Sequence, residues 1–208
     1  MPRLVGQIDL TKSEAILDAA LAVLSERGLA APIEEIARRA CVSKQTIYNH
    51  YGSKADLIRA LVDRRMDTIV AQLDSEAAGS TAQQALTAFG RSILEAVLSP
   101  GAMAMVRLYV QGASEMPDLA RAVFEAGPRP SRARLAAFLA REHDQGRLDV
   151  PDPALAAEFF AGMVLGSHQM AGLLGVPTDP ASIDAEAVAA EAARRFLRAY
   201  EVSPPRPR

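Results

Sequence analysis

The stretch IEEIARRACVSKQTIYNHYGSK, from Ile33 to Lys54, leaves the chain few folds to choose from. Its apolar residues suit two short helices joined by a tight turn. Ile36 and Ala40 precede the turn Cys41-Val42-Ser43 and Ile47 follows it, with the small Ala37 at the crossing. Two helices packed at a steep angle need that spacing. Polar residues fill the outward positions of the second helix: Lys44, Gln45, Thr46, Tyr48, Asn49 and His50, none acidic. A helix that packs by Ile47 and turns donors, acceptors and a cation outward suits a DNA major groove.

Charge supports that end of the chain as the DNA-facing one. Net charge is −2, so no global basic field points to nucleic acid. All the lysines, Lys12, Lys44 and Lys54, fall in the first 54 residues, and residues 1–60 carry net +1 against −3 for the rest. The asymmetry is small, and it adds Lys12 to the candidate DNA-facing residues. A single cysteine excludes an internal disulfide and fits a reducing cytoplasm, the expected location. Met1–Gln7 leads into polar residues and is not expected to be a signal peptide. Phe159–Val176 has no charged residue over eighteen positions, but Ser167-His168-Gln169 and four glycines interrupt it. It is expected to be a buried helix and not a membrane span.

In chain order the signals are helical throughout, and about nine to ten helices are expected. Thr11-x-x-Glu14 is a capping box opening a helix with core face Ile16, Ala19, Ala20, Val23 and Leu24, ended by Gly28. Pro32 suits the first turn of the next helix. Ser53-x-x-Asp56 opens a long helix that Ala77–Ser80 breaks. Ser80-x-x-Gln83 starts another, to about Leu98, with Pro100-Gly101 separating it from 102–113. Pro117-Asp118 starts a short helix to Ala126. The Gly127–Pro130 turn leads to one at 131–145, and Asp152-Pro153 caps one at 153–174. Asp179-Pro180 precedes a last helix near 182–200, and SPPRPR reads as a disordered tail. The expected fold class is all-α: a helix-turn-helix domain at 11–55 and a larger helical domain at 56–202.

These residues also carry a family resemblance. AILDAALAVLSERG (15–28), EEIARRA (34–40), VSKQTIYNHY (42–51) and SKADLIRAL (53–61) resemble the DNA-binding domain of the TetR family of transcriptional regulators. VRLYVQGASEMPDLARAVFEAGP (106–128) and GRLDVPDPALAAEFFAGMVLG (146–166) are similar to the AefR-like C-terminal domains within that family. Two positions depart from the family pattern. Ala30-Ala31-Pro32 stands where a capping Ser or Thr that touches a phosphate is usual, and Cys41 stands where Gly is usual. If the backbone at Cys41 is left-handed, a side chain there costs about 1 kcal/mol. No second cysteine exists to resolve an oxidised thiol, which favours a turn residue over a redox sensor.

The resemblance implies a homodimeric, ligand-responsive regulator, a repressor on a palindromic double-stranded operator. Candidates for base edges are Lys44, Gln45, Thr46 and Asn49, and for phosphates Ser43, Tyr48, His50 and Lys54. The last two long helices are expected to pair across the dimer, with Phe160, Gly162, Gly166, Met170 and Phe196 at the contact. Phe89, Met103, Arg107, Tyr109, Phe124, Phe159, Met163 and His168 are candidates to line an effector pocket. Cations there sit mostly at helix ends, so the unknown effector is expected to be small and mostly apolar. The histidines are scattered and no metal-ligand spacing, phosphate loop or nucleophile motif occurs, so no cofactor, metal or catalytic residue is expected. Gly166-Ser167-His168 places a hydroxyl beside an imidazole, but helical neighbours point about 100° apart. The alternatives are a small helical enzyme or ligand carrier in which residues 33–54 are only scaffold, and an architectural DNA binder without effector.

Overall fold

The computed structural model describes residues 10–28, 31–74, 81–115, 117–176 and 183–202. These form eleven helices and no strand: α1 (Leu10–Arg27), α2 (Ile33–Arg39), α3 (Lys44–Tyr51), α4 (Lys54–Asp74), α5 (Ala82–Leu98), α6 (Pro100–Gly112), α7 (Pro117–Ala126), α8 (Pro128–Asp144), α9 (Pro153–Leu165), α10 (His168–Leu173) and α11 (Ala185–Ala199). The expected all-α class is what forms. Among the described residues no single helix is long and apolar enough to cross a membrane. Helices α5 and α6 reach that length only as a pair bent by 66°.

The chain gathers into two units. The first holds the chain to Arg64 together with Ala104–Ala126; the second holds Arg65–Met103 and the chain from Gly127. In the first unit Ile16, Ala20 and Leu24 of α1 meet Ile36 and Ala37 of α2, Ile47 of α3, and Leu57 and Ile58 of α4. Met105 and Tyr109 of α6 are buried in the same cluster. Burial disfavours the charged phenolate of Tyr109 and pushes its pKa up to about 12.

The second unit is built on α5 packed along α11 and α8 packed along α9. Its aromatic centre is Phe160, stacked on Phe89 at 6.4 Å and edge-on to Phe196 at 5.3 Å between centroids. Gly90 lets these helices meet, since a Cβ there would lie 3.2 Å from both Ala189 and Val164. The buried Glu142 is clamped by both Nε and a terminal nitrogen of Arg147, and the Val150 amide donates to Nδ1 of His143 at 3.1 Å. These bonds fix the turn between α8 and α9.

Caps decide several helix starts differently from expectation. Leu10 already opens α1, so Thr11 lies inside the helix and not at its cap. Thr81 with Gln84, one residue beyond Ser80 and Gln83, forms the reciprocal capping box of α5. Ser80 itself, with the break expected at Ala77–Ser80, lies outside the described residues. Pro100 opens α6 instead of separating it from α5, and Pro128 likewise begins α8 directly after Gly127. Proline fits there because the first helical amides have no intrahelical partner. Asp152 caps α9 as expected, accepting from the Leu155 amide at 3.0 Å. The helix expected at 153–174 breaks at Gly166, where φ is +48°, a conformation glycine adopts at little cost. That break accounts for the eleventh helix. Asp184, and not Asp179, caps α11; Asp179-Pro180 and the SPPRPR tail lie outside the described residues.

Candidate nucleic-acid interface

Local chemistry builds α3 and its approach. Ser43 sits in extended backbone and its hydroxyl accepts from the Thr46 amide at 3.0 Å, a cap that satisfies one otherwise unpaired donor. Val42 donates to the Ala37 carbonyl at 2.9 Å, which closes the turn. Cys41 makes that closure with φ at +54°, so the backbone there is left-handed, and its side chain is exposed. At the far end Tyr51 turns inward, its hydroxyl 3.0 Å from that of Ser13 on α1. Helix α4 starts at once behind Ser53, whose hydroxyl accepts from the Asp56 amide at 3.1 Å.

With Ile47 buried and Tyr51 packed partly inward, α3 turns its other side chains outward. Lys44, Gln45, Tyr48, Asn49 and His50 are exposed and Thr46 is partly so. The candidates for base edges are thus brought together on one helix, spread over about 200° of its circumference, with Ser43 at its cap. Two pairs among them are already joined. Nε2 of Gln45 donates to Oδ1 of Asn49 at 2.7 Å, and the hydroxyls of Ser43 and Thr46 lie 2.8 Å apart. His50 stands edge-on to Tyr51 at 4.5 Å between ring centroids. Lys12 is exposed on α1.

Two cations are placed differently from what sequence spacing suggests. Lys54 is partly buried and donates to the Ala31 carbonyl, tying the start of α4 to the approach of α2. Burial lowers its pKa. It therefore acts as a strut between elements. Lys44 pairs with Glu34 in the first turn of α2, Nζ 2.5 Å from Oε1, and lies 5.6 Å from the centroid of the Tyr48 ring. Their hydrogen bond holds the Glu34 carboxyl below its usual range and raises the Lys44 ammonium. Sequence reasoning missed Glu34. Ten residues separate it from Lys44, and only the crossing of α2 and α3 brings them together.

The residues expected in the second unit scatter. Phe160 and Phe196, expected at a subunit contact, are 0% and 1% exposed within this chain's own core and cannot face a partner. Gly162, Gly166 and Met170 are exposed. Beside them on the outer surface of α9 and α10 lie Leu155, Phe159, Met163 and Leu174. The eight pocket candidates divide between the two units. Phe89 is core, Met103 is buried over Gly172, and Phe159 and Met163 point outward. Arg107, Tyr109 and Phe124 belong to the first unit, where Phe124 is exposed, and His168 is half-buried at the start of α10. Two open hollows of about 610 and 490 Å³ run along α5 and α11, both bordered by Arg91 and Glu186, and none of the eight lines either. Among the described residues no three His, Cys, Asp or Glu gather as metal ligands.

Comparison with known proteins covers most of the chain. Residues 16–61 match the family model described as bacterial regulatory proteins, tetR family. Residues 84–202 match that of the AefR-like transcriptional repressor, C-terminal domain. The chain is 30% identical over 113 residues to the HTH-type transcriptional repressor Rv3405c of Mycobacterium tuberculosis; the match covers 54% of this chain and 60% of that protein. A crystal structure of a TetR-family transcriptional regulator from Mesorhizobium loti superposes with TM-score 0.76 and 26% identity, covering 93% of this chain and 98% of the other. The flavonoid-responsive regulator FrrA gives TM-score 0.67 and 30% identity, covering 94% and 98%.

Proposed function

The chain belongs to the TetR family of DNA-binding transcriptional regulators, and on that premise we propose that it is a repressor that holds a palindromic operator as a homodimer and releases it when a small, mostly apolar effector binds. The observation that carries this reading is the outward surface of α3, which buries only Ile47 and displays two amides, a hydroxyl and a cation without one acidic group. Gln45 and Asn49 are suited to adenine and Lys44 to guanine. One eight-residue helix reads too few base pairs to select a site alone, so two copies on a two-fold axis are needed.

The exposed apolar residues of α9 and α10 supply a surface for that second copy. Leu155, Phe159 and Met163 recur at i, i+4 and i+8, so they share one helix face, and Gly162 beside them admits close approach. The name of Rv3405c supports repression. That FrrA is flavonoid-responsive supports an effector that is aromatic and weakly charged. The effector site itself is left unassigned among the eight residues above, none of which lines either hollow.

Selection of bound sequences from random duplex DNA tests the reading. A recovered motif with two-fold symmetry is the expected result. Recovery of an asymmetric motif removes the dimeric operator, and recovery of none removes DNA recognition and favours a helical enzyme or carrier.

A further inference from the structure

Lys44 is the one permanent cation on α3, and it is already neutralised. Among the described residues no second cation pairs with its partner Glu34, whereas the neighbouring Glu35 is engaged by Arg27 at 3.0 Å and Arg38 at 3.5 Å. Both members of the Lys44–Glu34 pair are about half exposed, at 50% and 58% of their side-chain surface. The pair is therefore solvent-accessible at the crossing of α2 and α3 and not buried beneath it.

We propose that Glu34 is a specificity-determining residue, which withholds Lys44 from the phosphate backbone and so weakens binding to the wrong DNA more than binding to the operator. The inference rests on α3 being the DNA-reading helix. Sequence-independent binding comes almost wholly from lysines and arginines that neutralise phosphates and release counterions. A lysine paired with its own carboxylate gains little by exchanging that partner for a phosphate. The exchange also leaves Glu34 unpaired beside a polyanion. On a matched base pair the balance changes. Lys44 can donate to the O6 and N7 of guanine while Glu34 accepts from the N4 amine of cytosine, so both charges keep partners. The wrong DNA is thus penalised by a repulsive element, a device that discriminates without adding affinity.

The test compares Glu34→Gln with the wild-type chain on the selected operator and on a scrambled duplex of equal length, across a salt series. Both positions are exposed and neither is packed in the core. Glu34→Gln is expected to tighten the scrambled duplex by up to about fivefold, the span of an exposed ion pair, and to steepen its salt slope by about 0.9, one more neutralised phosphate. Operator affinity rises less, so the ratio of the two falls. In a Lys44→Met background the same substitution is expected to change neither quantity. An unchanged slope on scrambled DNA, or an equal gain in the Lys44→Met background, overturns the inference, the second because it reports only lost negative charge. A wild-type chain that binds neither duplex overturns the DNA reading, and this inference with it, before any variant is compared.

Discussion

Gln45 and Asn49, one turn apart on the exposed face of α3, are joined by a 2.7 Å hydrogen bond from the Nε2 of the first to the Oδ1 of the second. The bond fixes the orientation of both amides while leaving each a free edge, since a primary amide has two donors and an acceptor with two lone pairs. Two side chains already joined to each other lose less rotamer freedom on meeting a base than two independent ones.

Gln45→Ala is therefore expected to act at two adjacent positions of each half-site, by removing one reader and releasing the other. Discrimination should fall by about 1–3 kcal/mol at the base pair Gln45 reads, with the salt slope unchanged. Sequence selection with the variant measures this, and an unaltered motif contradicts it.

Lys54 ties α4 to the Ala31 carbonyl. Lys54→Met keeps the aliphatic stem and removes the donor, which should cost about 1 kcal/mol of stability and leave the salt slope of DNA binding intact. A slope flattened by about 0.9 would instead show a phosphate contact. The lowered pKa also gives a sign. Between the depressed folded value and the ordinary lysine value of about 10.4, the unfolded chain binds more protons than the folded one, so the burial cost is relieved as pH rises through that window. Denaturation curves of the wild type should gain on those of Lys54→Met toward alkaline pH, and parallel curves refute the burial of that charge.

Cys41 holds φ at +54°. Glycine there removes a left-handed penalty of about 1–2 kcal/mol and adds an unfolded-state entropy cost of about 0.5–1 kcal/mol. The first effect is the larger, so Cys41→Gly should stabilise the fold by up to about 1 kcal/mol and leave operator affinity within a few-fold. Chemical denaturation and anisotropy with labelled operator measure the two. Loss of DNA binding under mild peroxide, reversed by thiol and absent in Cys41→Gly, would make the thiol a sensor.

Phe159 and Phe160 are neighbours in sequence with opposite fates, 54% and 0% exposed. Phe159→Glu is expected to convert a dimer to monomers in analytical ultracentrifugation while the monomer stays folded. Phe160→Ala should cost about 3–5 kcal/mol by opening a cavity among Phe89, Phe196 and Ala157. A dimeric Phe159→Glu chain removes this face of α9 from the subunit contact.

Much of this was legible in the residues because it is short-range. The caps at Ser43, Ser53 and Asp152 each bond the amide three residues on, and the spacing of Ile36, Ala37 and Ile47 marks one crossing of adjacent helices. A one-residue shift, as from Ser80 to Thr81, turns on which of two adjacent hydroxyls meets an amide, and pattern alone cannot decide that.

What the sequence determined by itself was therefore the helical class, the helix-turn-helix, and the exposed polar face of α3. The tertiary structure decided which neighbours those elements met. Helix α9 is apolar on nearly every side, so packing against α8, α11 and α5 chose Phe160 for the core and left Phe159 outside. Lys54 reaches Ala31 across 23 residues, and Met105 and Tyr109 join the helix-turn-helix core from far along the chain. Hydrogen bonds and periodicity act over a few residues and leave their mark in the sequence. Burial and ion pairing depend on which distant surfaces close on one another, and that is fixed only when the chain has packed.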